Sequence, residues 1–95
     1  ADFTIEWLKE VLVSFVEKYS ITSVILFGSR ADGTYTERSD VDLIVEFSKP
    51  VTLITLSGLK LELEEALGLS VDLIHGPLTG DDIPEVGKEV VLYAA

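Results

Sequence analysis

The chain has 95 residues, of which 47% are hydrophobic and none is cysteine. A chain of this length has room for one core, so we expect a single domain over residues 1–95 that uses neither disulfides nor thiolate metal sites. Its 17 acidic and 7 basic residues give a net charge of −10. Proteins that bind long DNA or RNA carry the opposite balance, because neutralising phosphates supplies most of their affinity.

The first ten residues are acidic and lack the basic stretch and apolar run of a signal peptide. No apolar run approaches the roughly 20 residues that a membrane-spanning helix needs. We therefore expect a cytoplasmic protein that does not contact a membrane.

The first half of the chain predicts one helix and two strands. Apolar residues recur at helical spacing from about residue 4 to residue 19, and Thr4 is suited to cap this helix. Residues 21–27 form a β-branched run that predicts a strand ended by Gly28. Residues 41–47 predict a second strand, and the segment between the two strands is polar.

The second half predicts a longer helix over residues 53–67, with Gly68 as its left-handed stop, and a third strand over residues 71–74. Residues 81–88 favour a short helix, and residues 90–93 a final short strand. This order of elements indicates an α+β fold of the α/β sandwich type. We expect a small mixed sheet of three to four strands flanked by helices.

Two aspartates lie on one face of the second predicted strand. Asp40 and Asp42 are two residues apart, which places their Cα atoms about 6.5–7 Å from each other on the same side. Like charges this close repel unless a cation lies between them, and oxygen ligands select hard cations such as Mg²⁺ or Mn²⁺. The alternative is that both acids simply face solvent. The opposite face of the strand is apolar and consists of Val41, Leu43, Val45 and Phe47.

A third aspartate occurs in a repeated tetrapeptide. The sequence Val-Asp-Leu-Ile is found at residues 41–44 and again at residues 71–74. Aspartate is a poor strand former and is seldom buried unpaired. If the two strands are neighbours, Asp72 joins the face of Asp40 and Asp42, and the three carboxylates are enough to hold two Mg²⁺ ions. The alternative is a partly exposed strand acid.

A glycine–serine pair precedes the first two aspartates at a fixed spacing. Asp40 and Asp42 follow Ser29 by 11 and 13 residues. Gly28 would let a phosphate approach the backbone closely, and a short helix from Ser29, stopped by Gly33, would direct free amides at the anion. If the two strands are antiparallel, the pair and the aspartates lie at the same end of the sheet. The alternative is an ordinary glycine turn.

Four further side chains have weaker signals. Arg30 could offset triphosphate charge, or it could be a solvated loop cation, which is the simpler explanation for Arg38. Tyr35 could stack on a base, although loop aromatics are common. His75, the single histidine, is more simply structural than a general base.

These residues resemble a known signature. Gly28-Ser29, Gly33 and the run at residues 39–43 are similar to the motif of the DNA polymerase β-like nucleotidyltransferase superfamily. The strongest likeness is to its smallest branch, the minimal nucleotidyltransferases of the MNT or MntA type in bacteria and archaea. Residues 61–73 and 91–93 also resemble that branch.

The resemblance implies transfer of a nucleoside monophosphate, with ATP as substrate and two Mg²⁺ ions (or Mn²⁺) as cofactors. By the same resemblance, Asp40 and Asp42 bind both ions, and Asp72 completes the site of the ion that activates the attacking hydroxyl. The nucleotide is expected to contact Gly28, Ser29, Arg30 and Ser39.

The resemblance also implies a partner. Members of this branch pair with HEPN-domain toxins, act as antitoxins and transfer AMP to a tyrosine of the toxin. The acceptor here would come from such a partner or from a second copy of this chain. The family often has a basic residue where this chain has Asp32. A module of the same fold that neutralises its partner by binding, with weak or no catalysis, is therefore the alternative.

Overall fold

The computed structural model describes residues 3–76 and 88–95. Within these ranges the chain forms three helices and four strands. The short helix predicted over residues 81–88 lies, apart from residue 88, outside the described residues. The elements in chain order are α1 (Ile5–Tyr19), β1 (Ile21–Phe27), α2 (Ser29–Asp32), β2 (Val41–Phe47), α3 (Leu53–Leu67), β3 (Val71–His75) and β4 (Val90–Ala94).

The two long helices begin and end where the sequence predicts. Thr4 Oγ1 accepts a hydrogen bond from the amide of Trp7 at 3.0 Å, so the predicted cap of α1 is confirmed. Helix α3 ends at Gly68, which has a φ of 69° in the left-handed region. None of the helices in the described part of the chain is long and apolar enough to cross a bilayer.

The four strands form one mixed sheet in the order β3-β2-β1-β4. Strand β1 is antiparallel to β2 and to β4, whereas β2 and β3 are parallel. Helix α3 connects the parallel pair, because parallel neighbours need a crossover rather than a hairpin. The predicted fold class, a small mixed sheet with flanking helices, is confirmed.

The core lies between one face of the sheet and helices α1 and α3, which also contact each other. Strand β2 shows the alternation that separates this face from the other, since Val41 and Leu43 are fully buried whereas Asp42, which lies between them in sequence, is half-buried. The polar positions of β2 are thus directed to the face opposite the two helices. The fully buried side chains are Leu8, Leu12, Val24, Leu26, Val41, Leu43, Val45, Leu59 and Leu63.

Candidate active site

Parallel pairing of β2 and β3 places two of the predicted aspartates side by side. Asp42 and Asp72 are direct partners in the register, on strands that lie about 4.8 Å apart. Asp40 immediately precedes β2 and is exposed, as is Asp72, whereas Asp42 is half-buried. The condition set by the sequence, that the two strands be neighbours, is met.

The electrostatics of Asp42 show that the acidic groups influence one another. Partial burial raises the pKa of the Asp42 carboxyl above its ordinary value, and the charges of Asp72 and Asp40 raise it further. Ionised Asp42 is therefore disfavoured unless something positive compensates. We refer to these three residues, Asp40, Asp42 and Asp72, as the acidic face.

The acidic face has the donor chemistry of a Mg²⁺ or Mn²⁺ site, since it offers carboxylate oxygens only. In residues 3–76 and 88–95, no three His, Asp or Glu side chains are gathered closely enough to form a ready-made metal site. This spreading is consistent with mutual repulsion of the carboxylates. The residues fit ions that bind together with the oxygens of a nucleotide's phosphates, which is how Mg²⁺ is commonly held.

Gly28 lies directly against Asp42. Its backbone has a φ of 76°, which side-chain-bearing residues rarely adopt. A Cβ atom at this position would overlap Asp42 Oδ2 and come within 3.2 Å of Asp42 Cγ. The sequence explained this glycine by the approach of a phosphate; the structure adds that glycine makes room for the half-buried carboxylate.

The turn after Gly28 is the short helix that the sequence predicts. In α2 the amides of Ala31 and Gly33 donate to the carbonyls of Gly28 and Ser29, each at 3.0 Å. Gly33 ends the turn with a φ of 87°. The amides of Ser29 and Arg30 precede the first hydrogen bond of the turn, so the turn does not use them.

Arg30 is not a solvated loop cation, because only 3% of its surface is exposed. Its Nε donates to the carbonyl of Ser39 at 3.0 Å, and its Nη2 donates to the carbonyl of Thr36 at 3.2 Å. The guanidinium also packs against the rings of Phe3 and Tyr35. The described hydrogen bonds of Arg30 are thus with the loop before β2, and its contact with a nucleotide stays a prediction.

Two other candidate residues are engaged within the same loop. Ser39 Oγ accepts from the amide of Thr36 at 2.8 Å, which closes a turn just before Asp40. Asp32 is exposed, and its Oδ1 accepts from the hydroxyl and the amide of Thr34 at 2.6 and 2.9 Å. These bonds lower the pKa of the Asp32 carboxyl. A nucleotide contact of Ser39 stays a prediction.

The role of Glu64 was not predicted from the sequence. Glu64 is half-buried, and its Oε2 accepts from the amide of Val71 at 2.9 Å. The amide of Val41 in turn donates to the carbonyl of Ser70 at 2.8 Å. Glu64 thus fixes the start of the strand that carries Asp72. No local pattern signals this contact, because it depends on how α3 packs beside β3.

A pocket of about 610 Å³ lies on the helix side of the same end of the sheet. No member of the acidic face lines it, so it is separate from the carboxylates. The loop before β2 forms one of its walls. Its lining residues are Phe3, Trp7, Arg30, Tyr35, Thr36, Glu37, Leu67, Gly68 and Leu69.

Residues 8–92 match the nucleotidyltransferase domain family. Among relatives of known designation, the protein adenylyltransferase MntA of Thermococcus cleftensis is 33% identical over 97 residues. That alignment covers 98% of this chain and 98% of the relative. The match therefore extends over nearly the whole of both proteins.

Solved structures share the fold. A chain of a toxin–antitoxin complex with AMP-PNP superposes with a TM-score of 0.75 at 22% identity, over 92% of this chain and 73% of that one. A chain of the complex between tri-AMPylated Shewanella oneidensis HEPN toxin and MNT antitoxin gives a TM-score of 0.68 at 17% identity, over 97% and 74%. The sequence match and the shared fold together establish that the chain belongs to the nucleotidyltransferase domain family and is a nucleotidyltransferase related to MntA.

Proposed function

We propose that this chain, acting as one nucleotidyltransferase domain, transfers AMP from ATP to a hydroxyl group of a HEPN-domain toxin and thereby acts as its antitoxin. The observation that carries the proposal is the register of Asp42 with Asp72, at the end of the sheet where Gly28 lies against Asp42. The relative MntA is a protein adenylyltransferase, and a structural neighbour pairs an AMPylated HEPN toxin with its antitoxin.

Each site residue has a proposed task. Asp40 and Asp42 would hold both divalent cations, and Asp72 would complete the site of the cation that activates the attacking hydroxyl. The amides of Ser29 and Arg30, which the turn leaves unused, bind the triphosphate together with Ser39. When bound, two Mg²⁺ or Mn²⁺ ions would neutralise phosphate charge and activate the attacking hydroxyl.

The proposed reaction is an in-line displacement at phosphorus. The acceptor oxygen forms a bond to the α-phosphorus, the bond from that phosphorus to the bridging oxygen breaks, and pyrophosphate leaves while the hydroxyl proton passes to solvent. The residues of the acidic face hold the reactants in place, and placement alone can account for several orders of magnitude in rate. The net charge of −10 suits a basic protein partner in the cytoplasm.

The test is transfer of label from [α-³²P]ATP to a co-expressed HEPN-domain protein in the presence of Mg²⁺. We expect label on the HEPN protein with the wild-type chain, and none with Asp42→Asn or after chelation of the metal. Both forms of the chain should still co-purify with the partner. Toxin neutralisation by Asp42→Asn without any labelling would instead support the alternative, a module that acts by binding alone.

A further inference from the structure

Arg30 is the one charged residue that the described structure buries. Charged side chains are almost never fully buried unless they are paired. In residues 3–76 and 88–95 the single ion pair joins Lys18 to Glu62 on the surface, so no carboxylate within these ranges pairs with Arg30. The burial of Arg30 in so acidic a chain therefore needs another explanation.

Backbone carbonyls of one loop take the place of a carboxylate. Arg30 donates from Nε to Ser39, and its Nη2 lies 3.2 Å from the carbonyl of Thr36 and 3.5 Å from that of Glu37. The planar guanidinium presents its donors in a fixed fork, which binds acceptors that point at it from several directions. Three backbone carbonyls of the loop thus contact a single side chain.

Two neighbouring aromatic rings pack against the guanidinium. Its central carbon lies 4.6 Å from the ring centroid of Phe3 and 4.8 Å from that of Tyr35. Both separations are within the range of cation–π attraction. The rings also contact each other edge-on, with centroids 5.4 Å apart. The contact with this pair of rings therefore adds to the hydrogen bonds that restrain Arg30.

The position of Arg30 along the chain gives these contacts a consequence. It follows Ser29 in the turn after β1, and its acceptor Ser39 directly precedes Asp40. We infer that Arg30 is a positioning residue, which ties the phosphate-binding turn to the loop of residues 34–39 and so places Asp40 beside Asp42. This inference rests on the proposed function only for the task of Asp40.

Positioning and direct nucleotide contact predict different defects. If Arg30 positions Asp40, a lysine at this site keeps the charge but loses the fork, so the loop loosens and metal-dependent steps suffer. At saturating metal the KM for ATP then stays unchanged, and the loss falls on kcat. If the side chain of Arg30 instead binds the triphosphate, the KM for ATP rises even at saturating metal, and the loop amides stay as they are.

The experiment compares Arg30→Lys with the matched control Arg38→Lys, the other arginine of the chain, which is exposed in the same loop. Amide hydrogen exchange and ¹⁵N chemical shifts of residues 34–40 report the loop. Mn²⁺ titration followed by electron paramagnetic resonance reports the acidic face. Steady-state transfer assays separate kcat from the KM for ATP.

We expect Arg30→Lys to accelerate exchange at residues 36–40, to weaken Mn²⁺ binding and to lower kcat by about 100-fold, as a displacement of about 1 Å does. Its KM for ATP should stay within about twofold, and Arg38→Lys should match the wild type. Unchanged loop amides in a folded Arg30→Lys chain would overturn the inference. So would a defect confined to the KM for ATP.

A second variant covers the case in which Arg30→Lys fails to fold. Tyr35→Ala removes one of the two rings and leaves Arg30 in place; we expect the same changes in loop exchange and Mn²⁺ affinity at smaller size. Loop amides that exchange as in the wild type would overturn the inference here too. If the wild-type chain transfers no AMP, the proposed function fails, whereas the exchange data still decide the role of Arg30.

Discussion

The helical layer and the loop of residues 28–40 are held together in different ways. Helices α1 and α3 bury apolar side chains against the sheet, and Leu8, Leu12, Leu59 and Leu63 are each at most 1% exposed. The loop has few apolar anchors, and its order depends on Arg30, on the Ser39 hydroxyl and on positive-φ glycines. The layer therefore determines whether the chain folds, and the loop determines where Asp40 lies and leaves room at Gly28 for the Asp42 carboxylate.

Because of this difference, stability and activity can be perturbed separately in this chain. Core substitutions should lower the free energy of unfolding and leave the chemistry of the folded fraction unchanged. Substitutions on the acidic face should abolish the chemistry and leave folding intact, or even improve it.

Asp42→Asn should lower transfer by about 1,000-fold or more, because the variant loses a ligand of both proposed ions and metal catalysis supplies several kcal/mol. Steady-state AMP transfer at saturating Mg²⁺ measures this effect. Circular dichroism serves as the control, since the spectrum of the folded chain should not change. If the variant retained more than a tenth of the wild-type rate, Asp42 would not be required for the chemistry.

Gly28→Ala should reduce transfer by about 100-fold and also destabilise the fold by about 1–3 kcal/mol. The added Cβ overlaps Asp42 Oδ2, and the backbone at φ 76° is strained for alanine. Gly33→Ala is the matched control: it shares the positive φ of 87° but meets no atom within 4 Å. Equal activity of the two variants would show that the contact with Asp42 is unimportant.

Leu63→Ala should cost about 2–5 kcal/mol of unfolding free energy, because it opens a cavity in the core. Leu61→Ala, two positions away and 63% exposed, should change stability by no more than about 0.5 kcal/mol. Urea unfolding measures both. Transfer per folded molecule should stay at the wild-type level in both variants. A loss of activity per folded molecule in Leu63→Ala would show that the helical layer also affects the chemistry.

Without divalent cations, Asp42→Asn should be more stable than the wild type at neutral pH. The raised pKa of Asp42 means that the folded state favours the protonated carboxyl. The stability that this protonation contributes is fully present below the pKa of Asp42 in the unfolded chain, and it is lost as pH rises through the higher pKa of the folded state. Because Asp42 is only half-buried, the gain should be at most about 1 kcal/mol, or roughly 5 °C in Tm.

The pH dependence and the response to metal supply the checks on this prediction. The difference in Tm between Asp42→Asn and wild type should shrink as pH falls through the raised pKa of Asp42, and it should be absent below the ordinary aspartate pKa of about 4. Added Mg²⁺ should stabilise the wild type more than the variant, because a ligand stabilises the state that binds it. If Asp42→Asn were less stable than the wild type in chelator at pH 7, this would contradict repulsion between the carboxylates of the acidic face.

Thr4→Ala should have a similarly small effect on stability, a loss of about 1 kcal/mol, with no change in transfer. The substitution removes the hydroxyl that accepts from the amide of Trp7 at the start of α1. Thermal unfolding measures it. Thr4→Ser, which keeps the acceptor, is the control and should stay close to the wild type.

Much of the fold could be predicted from the sequence, because its elements have strong local signals. Thr4, Gly68 and the helical spacing determine the ends of α1 and α3, and the β-branched runs locate the strands. The convergence of Asp72 on Asp42 could be stated only as a condition. It depends on which strands are neighbours, and that follows from the packing of α3 rather than from any local pattern.

The two contacts of the site that were not predicted from the sequence, those of Arg30 and Glu64, involve charged side chains, which are usually exposed to solvent. Arginine is normally exposed, so nothing in the run Ser29-Arg30-Ala31 marks Arg30 as buried. The nearest signal is that its neighbour Ala31 is small and apolar in an otherwise polar loop. Glu64 is similar, because its bond to the amide of Val71 joins two elements whose contact is a tertiary feature.

Calorimetry of ATP binding, with and without Mg²⁺, on the wild type and on Asp40→Asn/Asp42→Asn tests the acidic face most directly. The account predicts that the wild type binds ATP only when Mg²⁺ is present, and that the folded double variant shows no such metal-dependent binding. Equal binding by the two proteins in Mg²⁺ would contradict it, because ATP would then be held without the aspartates.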